Sequence, residues 1–184
     1  MEAFEHIVKV FLESQGYIAT TNVKFPIKRK TKKIGHEEYQ THGYEVDVVA
    51  AKASSLILGS VKSFFGSRGV DRQGFRGIAD TKKTTHFDGY KMFNEPDIYD
   101  GILIEAKKRY GYLEGQIKCC LFAGNLVKDD EELITKHLAG RGISVYNLKM
   151  VVDGLLKATE SKTYTNDPVI VTIKALQQLR KINN

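Results

Sequence analysis

Tyr44-Glu45-Val46-Asp47-Val48-Val49-Ala50-Ala51-Lys52, then Ala53-Ser54-Ser55, then Leu56-Ile57-Leu58-Gly59-Ser60-Val61-Lys62: the fold turns on how these two apolar runs pair. Side chains alternate faces along a strand, and residues opposite each other across a ladder share a face. If Ala53-Ser54 is a two-residue hairpin loop, Asp47 stands opposite Ser60 and Glu45 opposite Lys62; a four-residue loop from Ala53 to Leu56 instead sets Asp47 opposite Lys62. Either register puts Glu45, Asp47, Val49, Ala51, Leu56, Leu58, Ser60 and Lys62 on one face, whereas a one-residue slip separates Asp47 from Lys62. That face is apolar at its inner end and charged at its outer end. Carboxylates and a lysine gathered there suit metal-assisted phosphodiester hydrolysis. The same spacing also suits a solvated sheet end in which Lys62 neutralises Glu45.

A chain of 184 residues, 42% hydrophobic and 27% charged, suits one well-buried domain over 1–184, with its core over about 2–156 and a C-terminal helix over about 168–182. No run of about 18 apolar residues occurs, and Glu2 and Glu5 stand where an export segment is basic, so the expected setting is the cytoplasm, without a membrane. Cys119 and Cys120 are adjacent, which in a strand points them to opposite faces and argues against a disulfide or a zinc site. His6, His36, His42, His86 and His137 lack zinc-site spacing, and neither a Ser-His-acid motif nor a glycine-rich phosphate loop is present.

Charge distribution points to a polyanionic partner. The net charge is +6, and Lys24, Lys28, Arg29, Lys30, Lys32 and Lys33 occur without an intervening acid. Such a run is either a phosphate-contacting arm or a lysine-blunted sheet edge. Residues 66–95 combine Arg68, Arg72, Arg76, Lys82, Lys83 and Lys91 with Phe75, Phe87, Tyr90 and Phe93. That segment reads as a flap that touches DNA beside the site, or as a loop whose aromatics anchor it to the core.

Periodicity supplies the remaining elements. Residues 2–15 predict a helix with Phe4, Ile7, Val8, Phe11 and Leu12 on one face, Glu5 flanking that stripe and Gly16 as its stop. A strand follows over 17–27, and Gly43 introduces the strand bearing Glu45 and Asp47. Residues 97–109 read as helical or partly strand-like, 116–122 as a buried strand, 129–139 as a helix opened by acids, and 143–146 as a short strand. A helix over 147–157 is expected to turn Leu148, Val151, Val152, Leu155 and Leu156 to the core, and Asp167-Pro168 opens a last helix to 182. The order is α/β.

These residues in this order resemble the PD-(D/E)XK, or restriction-endonuclease-like, nuclease superfamily. The parts are Glu5 ahead of Leu12 and Gly16-Tyr17, then Glu45-Val46-Asp47-Val48-Val49-Ala50, then Leu58-Gly59-Ser60-Val61-Lys62-Ser63, and finally Gly142-Ile143-Ser144-Val145-Tyr146-Asn147-Leu148. The resemblance spans roughly residues 5–156. It implies a mixed central β-sheet flanked by helices and a Mg²⁺- or Mn²⁺-dependent DNA endonuclease. It also implies Asp47 as central metal ligand, Lys62 as the lysine assisting the attacking water, Glu5 as the helix carboxylate and the Val61 carbonyl as a backbone ligand. Ser60 departs from the pattern, because the superfamily carries an acid or amide there and a hydroxyl is a poor ligand for a hard cation. Glu45, two residues before Asp47 on the same face, is the candidate replacement.

Lys28, Arg29, Lys30, Lys32, Lys33, Arg68, Arg72 and Arg76 are then the expected DNA contacts. Many members act as dimers, so a homodimer is also an expectation. A catalytically inactive DNA-binding module on the same fold is the alternative reading. A toxin, immunity or assembly protein that meets an acidic protein partner is a third.

Overall fold

The computed structural model of the chain describes residues 2–30, 35, 39–78, 84–160 and 166–182. Lys52 faces Ser55 across the ladder, so Ala53-Ser54 forms the two-residue loop and not the four-residue one. Strands β2 (Tyr39–Lys52) and β3 (Ser55–Lys62) pair antiparallel with Val49 opposite Leu58. Strand β1 (Ile18–Lys30) adds antiparallel to β2, while β4 (Ile117–Ala123) and β5 (Ile143–Asn147) add parallel beyond β3. The result is an α/β architecture on a mixed five-stranded sheet in the order β1-β2-β3-β4-β5.

Helices cover both faces. On one side lie α1 (Ala3–Ser14), α5 (Leu148–Thr159) and α6 (Pro168–Ile182). On the other lie the segment 70–78, α2 (Lys91–Asn94), α3 (Pro96–Tyr110) and α4 (Glu131–Ala139). Because β3 is sandwiched between both layers, its apolar run is nearly continuous: Leu56 and Leu58 pack towards α3, and Ile57 and Val61 towards α1. Gly59 permits the close fit, since a Cβ there would lie 2.6 Å from Val48 Cγ1 and 2.8 Å from Phe122 Cε2. Cys119 and Cys120 enter opposite layers as their adjacency predicts, and burial pushes their thiols up to about 11 and about 12.

The structure bears on two readings that the sequence left open and changes one expectation. Residues 97–109 are helical throughout, because Pro96 presets the first turn and Gly111, at φ 73°, ends the helix left-handed. Val152 is 37% exposed, because α5 meets the core along the narrower stripe of Val151 and Leu155. The aromatics of the 66–95 segment are structural anchors: Phe75, Phe87, Tyr90 and Phe93 are buried. Buried Asn94 stitches that segment together, accepting from Arg76 N–H at 2.9 Å and donating to the carbonyls of Gly74 and Phe87 at 2.7 and 3.2 Å. Among the described residues no helix is long and apolar enough to cross a membrane.

A local twist sets up the site. Asn22, which lies between the pairs Thr21–Val48 and Val23–Val46, adopts φ 57°. On one side of it Val48 and Ala19 bury against α1; on the other Val46, Phe25 and Ile27 bury towards α3. An asparagine tolerates this left-handed conformation better than the β-branched residues around it.

Candidate active site

The β2–β3 ladder runs from the Lys52–Ser55 pair to the Val48–Gly59 pair and stops there. Beyond it the strands diverge, and the Asp47 side chain fills the break. Its Oδ2 accepts the Val61 N–H at 2.5 Å and the Ser60 hydroxyl at 3.1 Å. On the far side of β3, Gly124 N–H donates to the Lys62 carbonyl at 2.8 Å. Strand peptide groups alternate in direction, so the Val61 N–H and carbonyl both turn towards β2 and Asp47. A carboxylate here supplies the acceptor that the departing strand no longer offers.

The structure brings Glu45, Asp47, Ser60 and Lys62 together around one cleft of about 180 Å³, with Tyr44, Asp88, Tyr90, Ile98 and Ile102 on its other walls. Glu45 is exposed and accepts from Asn22 Nδ2 at 3.2 Å. Lys62 is half-buried, its Nζ 5.9 Å from the centre of the Tyr90 ring. It makes no ion pair among the described residues, so the Lys62–Glu45 pair of the solvated-end reading does not form. Tyr90 keeps its proton to high pH, because burial and then the nearby Asp71 raise its pKa.

Glu5 is elsewhere. At the third position of α1 its Oε2 accepts the Glu2 N–H at 3.1 Å, a reciprocal cap with Glu2, and it does not line the cleft. The helix-end hydrogen bond explains its place in the sequence without a metal.

The basic candidates divide. Arg29 bonds the Tyr44 hydroxyl at 2.8 Å and pairs with Glu95 at 2.5 Å, which raises its pKa and ties β1 to the start of α3. It belongs to the fold. Lys28 lies over Tyr39, 5.1 Å from the ring centre, and Lys30 is exposed on β1; Lys32 and Lys33 fall outside the described residues. Arg68 and Arg72 are exposed, with loose pairs of 3.7 Å to Asp71 and 3.6 Å to Asp130, and Arg76 stacks 4.9 Å from the centre of Phe87.

Sequence reasoning passed over Asn22 and Tyr44, and named Tyr90 only among the aromatics of the 66–95 segment and not as a wall of the site. Asn22 carried a signal, an amide inside a strand of otherwise suitable residues. Tyr44 and Tyr90 carried none, because ordinary core aromatics look the same.

As a metal site the cleft offers the Oδ1 of Asp47 and the Glu45 carboxylate, with the Val61 carbonyl turned towards β2 beside it, while the Ser60 hydroxyl is donated to Asp47. These are hard oxygen donors. Among the described residues no three His, Cys, Asp or Glu side chains gather into a cage. That donor set fits Mg²⁺ or Mn²⁺, since Mg²⁺ is commonly held by one or two carboxylates with water and substrate phosphate filling the rest.

No protein-family model and no curated protein significantly matches the chain. The crystal structure of a protein of unknown function, AF1548, is similar over 82% of this chain and 64% of its own length, at 16% identity and a TM-score of 0.38.

Proposed function

We propose that this chain is a metal-dependent DNA endonuclease with a restriction-endonuclease-like core. The observation that carries the reading is the convergence of Glu45, Asp47 and Lys62 on one cleft, with Asp47 fixed by the backbone of the strand that bears Lys62. The order of helix, three antiparallel strands, helix and parallel strand supports the fold assignment.

Asp47 Oδ1 and the Val61 carbonyl would hold the cation, with Glu45 as the second carboxylate. When bound, it supplies Lewis-acid polarisation of the scissile phosphate and lowers the pKa of a bound water. Lys62 contributes a positive charge close to Asp47 without being neutralised by it, so it can orient the water and offset charge growing on the phosphate. The Tyr90 ring face keeps the ammonium in the cleft. Ser60 and Val61 N–H hold one oxygen of Asp47 and so aim the other. Lys28, Arg68 and Arg72 are exposed cations that would meet DNA phosphates.

One observation favours a second reading, a DNA-binding module without cleavage: Ser60 stands in place of a carboxylate and its hydroxyl is engaged by Asp47. Plasmid incubated with Mg²⁺, Mn²⁺ or chelator, beside Asp47→Asn and Lys62→Ala, separates the two. Cleavage that requires metal and disappears in both variants supports the nuclease. Retention of DNA without cleavage under every condition supports the binding module.

A further inference from the structure

The loop that leaves β3 directly after Lys62 carries two phenylalanines outward. Phe64 is 37% exposed and Phe65 56% exposed, in a chain whose Phe4, Phe25, Phe75, Phe93 and Phe122 are fully buried. Their presentation is built into the fold. Phe64 adopts φ 45°, a conformation that costs a bulky residue free energy and persists only where its surroundings enforce it. The enforcement comes from its carbonyl, which accepts from Ser67 N–H at 3.3 Å, the Ser67 hydroxyl at 3.4 Å and Asn125 Nδ2 at 3.5 Å. Asn125 Nδ2 also donates to the Ser67 carbonyl at 3.1 Å, closing the loop against the end of β4.

Phe65 is placed as firmly. Its ring meets Phe4 edge-on with centroids 5.2 Å apart. It lies over Gly124, where an added Cβ would be 2.9 Å from its Cε1 and 2.4 Å from the Ser63 carbonyl oxygen. More than half of the Phe65 surface stays exposed beside these contacts. Arg68 follows three residues on, 69% exposed.

The loop sits at the carboxyl ends of β3 and β4, where open α/β sheets bind ligands. Chain length limits the Phe65 Cα to ~11 Å from the Lys62 Cα; Phe65 rests on the α1 side of the sheet and the cleft opens on the α3 side, so a strand that reaches both crosses the carboxyl end of β3.

Resting on the nuclease reading, we infer that Phe65, supported by Phe64 and Arg68, is a stacking platform for an unpaired base next to the phosphate bound in the cleft. The preferred substrate is therefore DNA with a single-stranded segment beside the cut, such as a gap, flap or branch. Base stacking on an exposed aromatic is indifferent to base identity, and it combines with cations on the backbone in proteins that hold single strands. Paired bases within a duplex cannot reach the ring, so the discrimination is by strand state.

The test measures binding of the full chain with chelator present, and cleavage of the same substrates with Mg²⁺ or Mn²⁺, using duplex, gapped duplex and single-stranded oligonucleotides that carry 2-aminopurine in the unpaired stretch. Expected is a preference for gapped over continuous duplex that falls about ten-fold in Phe65→Ala and Phe65→Leu and survives in Phe65→Trp. The base fluorescence should be quenched by wild type and Phe65→Trp only. Phe65→Leu keeps the packing on Phe4, so a loss there is not one of folding. Wild type that binds or cuts all forms equally, or a preference unchanged in Phe65→Leu, overturns the stacking inference and leaves the nuclease standing. Wild type that neither binds nor cuts any of the three forms overturns both.

Discussion

From Val48 to Ala51, β2 is hydrogen-bonded to strands on both sides and lies between two layers of helix. From Tyr39 to Val46 the same strand pairs only with β1 and turns its apolar residues towards α3. The inner half is held by ladders on both sides, whereas the outer half keeps its ladder to β1 and meets β3 through the polar contacts of Asp47 at the break. A ladder cannot simply end inside a protein, because its peptide groups still need partners. Asp47 supplies that partner and, in doing so, becomes a carboxylate fixed beside Lys62.

The largest effect expected is on chemistry at the break. Asp47→Asn keeps an acceptor for Val61 N–H and removes the charge, so cleavage should fall by about 10²–10³-fold while the urea midpoint moves little. A plasmid assay and a denaturation curve on the same sample check both. Undiminished cleavage would remove Asp47 from the reaction.

In the inner half, Leu58→Ala should lose about 2–5 kcal/mol, as expected for a fully buried leucine, without a specific change in metal dependence. Chemical denaturation measures it. A loss under 1 kcal/mol would show that the two halves differ less in packing than the buried areas indicate.

Asp47→Ala tests the structural role of the carboxylate apart from its charge. Leaving the Val61 N–H unmet should make it roughly 1–3 kcal/mol less stable than Asp47→Asn. Equal stability would mean that water satisfies the break as well as Asp47 does.

The central strands also carry a pH signature that the outer half lacks. The Cys119 and Cys120 thiols, held at about 11 and about 12, stay protonated in the fold while thiols of the unfolded chain ionise near 9. Above that the unfolded state binds fewer protons. The stability is therefore full below pH 9 and declines as pH rises towards 11, by at most about 1.4 kcal/mol per pH unit per thiol. Stability measured from pH 8 to 10.5 should fall with a slope that Cys119→Ala reduces.

The smallest effect is Ser60→Ala, which removes one of two hydrogen bonds to Asp47 and should cost about 0.5–1.5 kcal/mol and less than ten-fold in rate. A rate loss as large as that of Asp47→Asn would give Ser60 a direct part in the chemistry.

Much of this was legible in the chain, for reasons that are local. An even-length loop between the apolar runs puts Val49, Leu56 and Leu58 on one face with Asp47 and Lys62, and of the two such registers the structure adopts the two-residue one. The stripe of α1, the Gly16 stop, the buried central strand and the Asp167-Pro168 helix start follow from period and caps. Glu5 shows the limit of such reading. Its position in the chain suits either a metal ligand or a helix cap, and only the tertiary structure shows the carboxylate turned to the Glu2 amide.

What the sequence determined by itself is therefore what depends on neighbours along the chain: most element types and an even-length hairpin loop that keeps Asp47 and Lys62 on one face, whereas the choice of the two-residue register came from the structure. Tertiary structure alone decided the twist at Asn22, the use of Asp47 as a ladder partner, the Tyr90 wall over Lys62 and the diversion of Arg29 to Glu95. Each of these joins residues far apart in sequence, and each satisfies a polar or charged group whose partner exists only after the layers have packed.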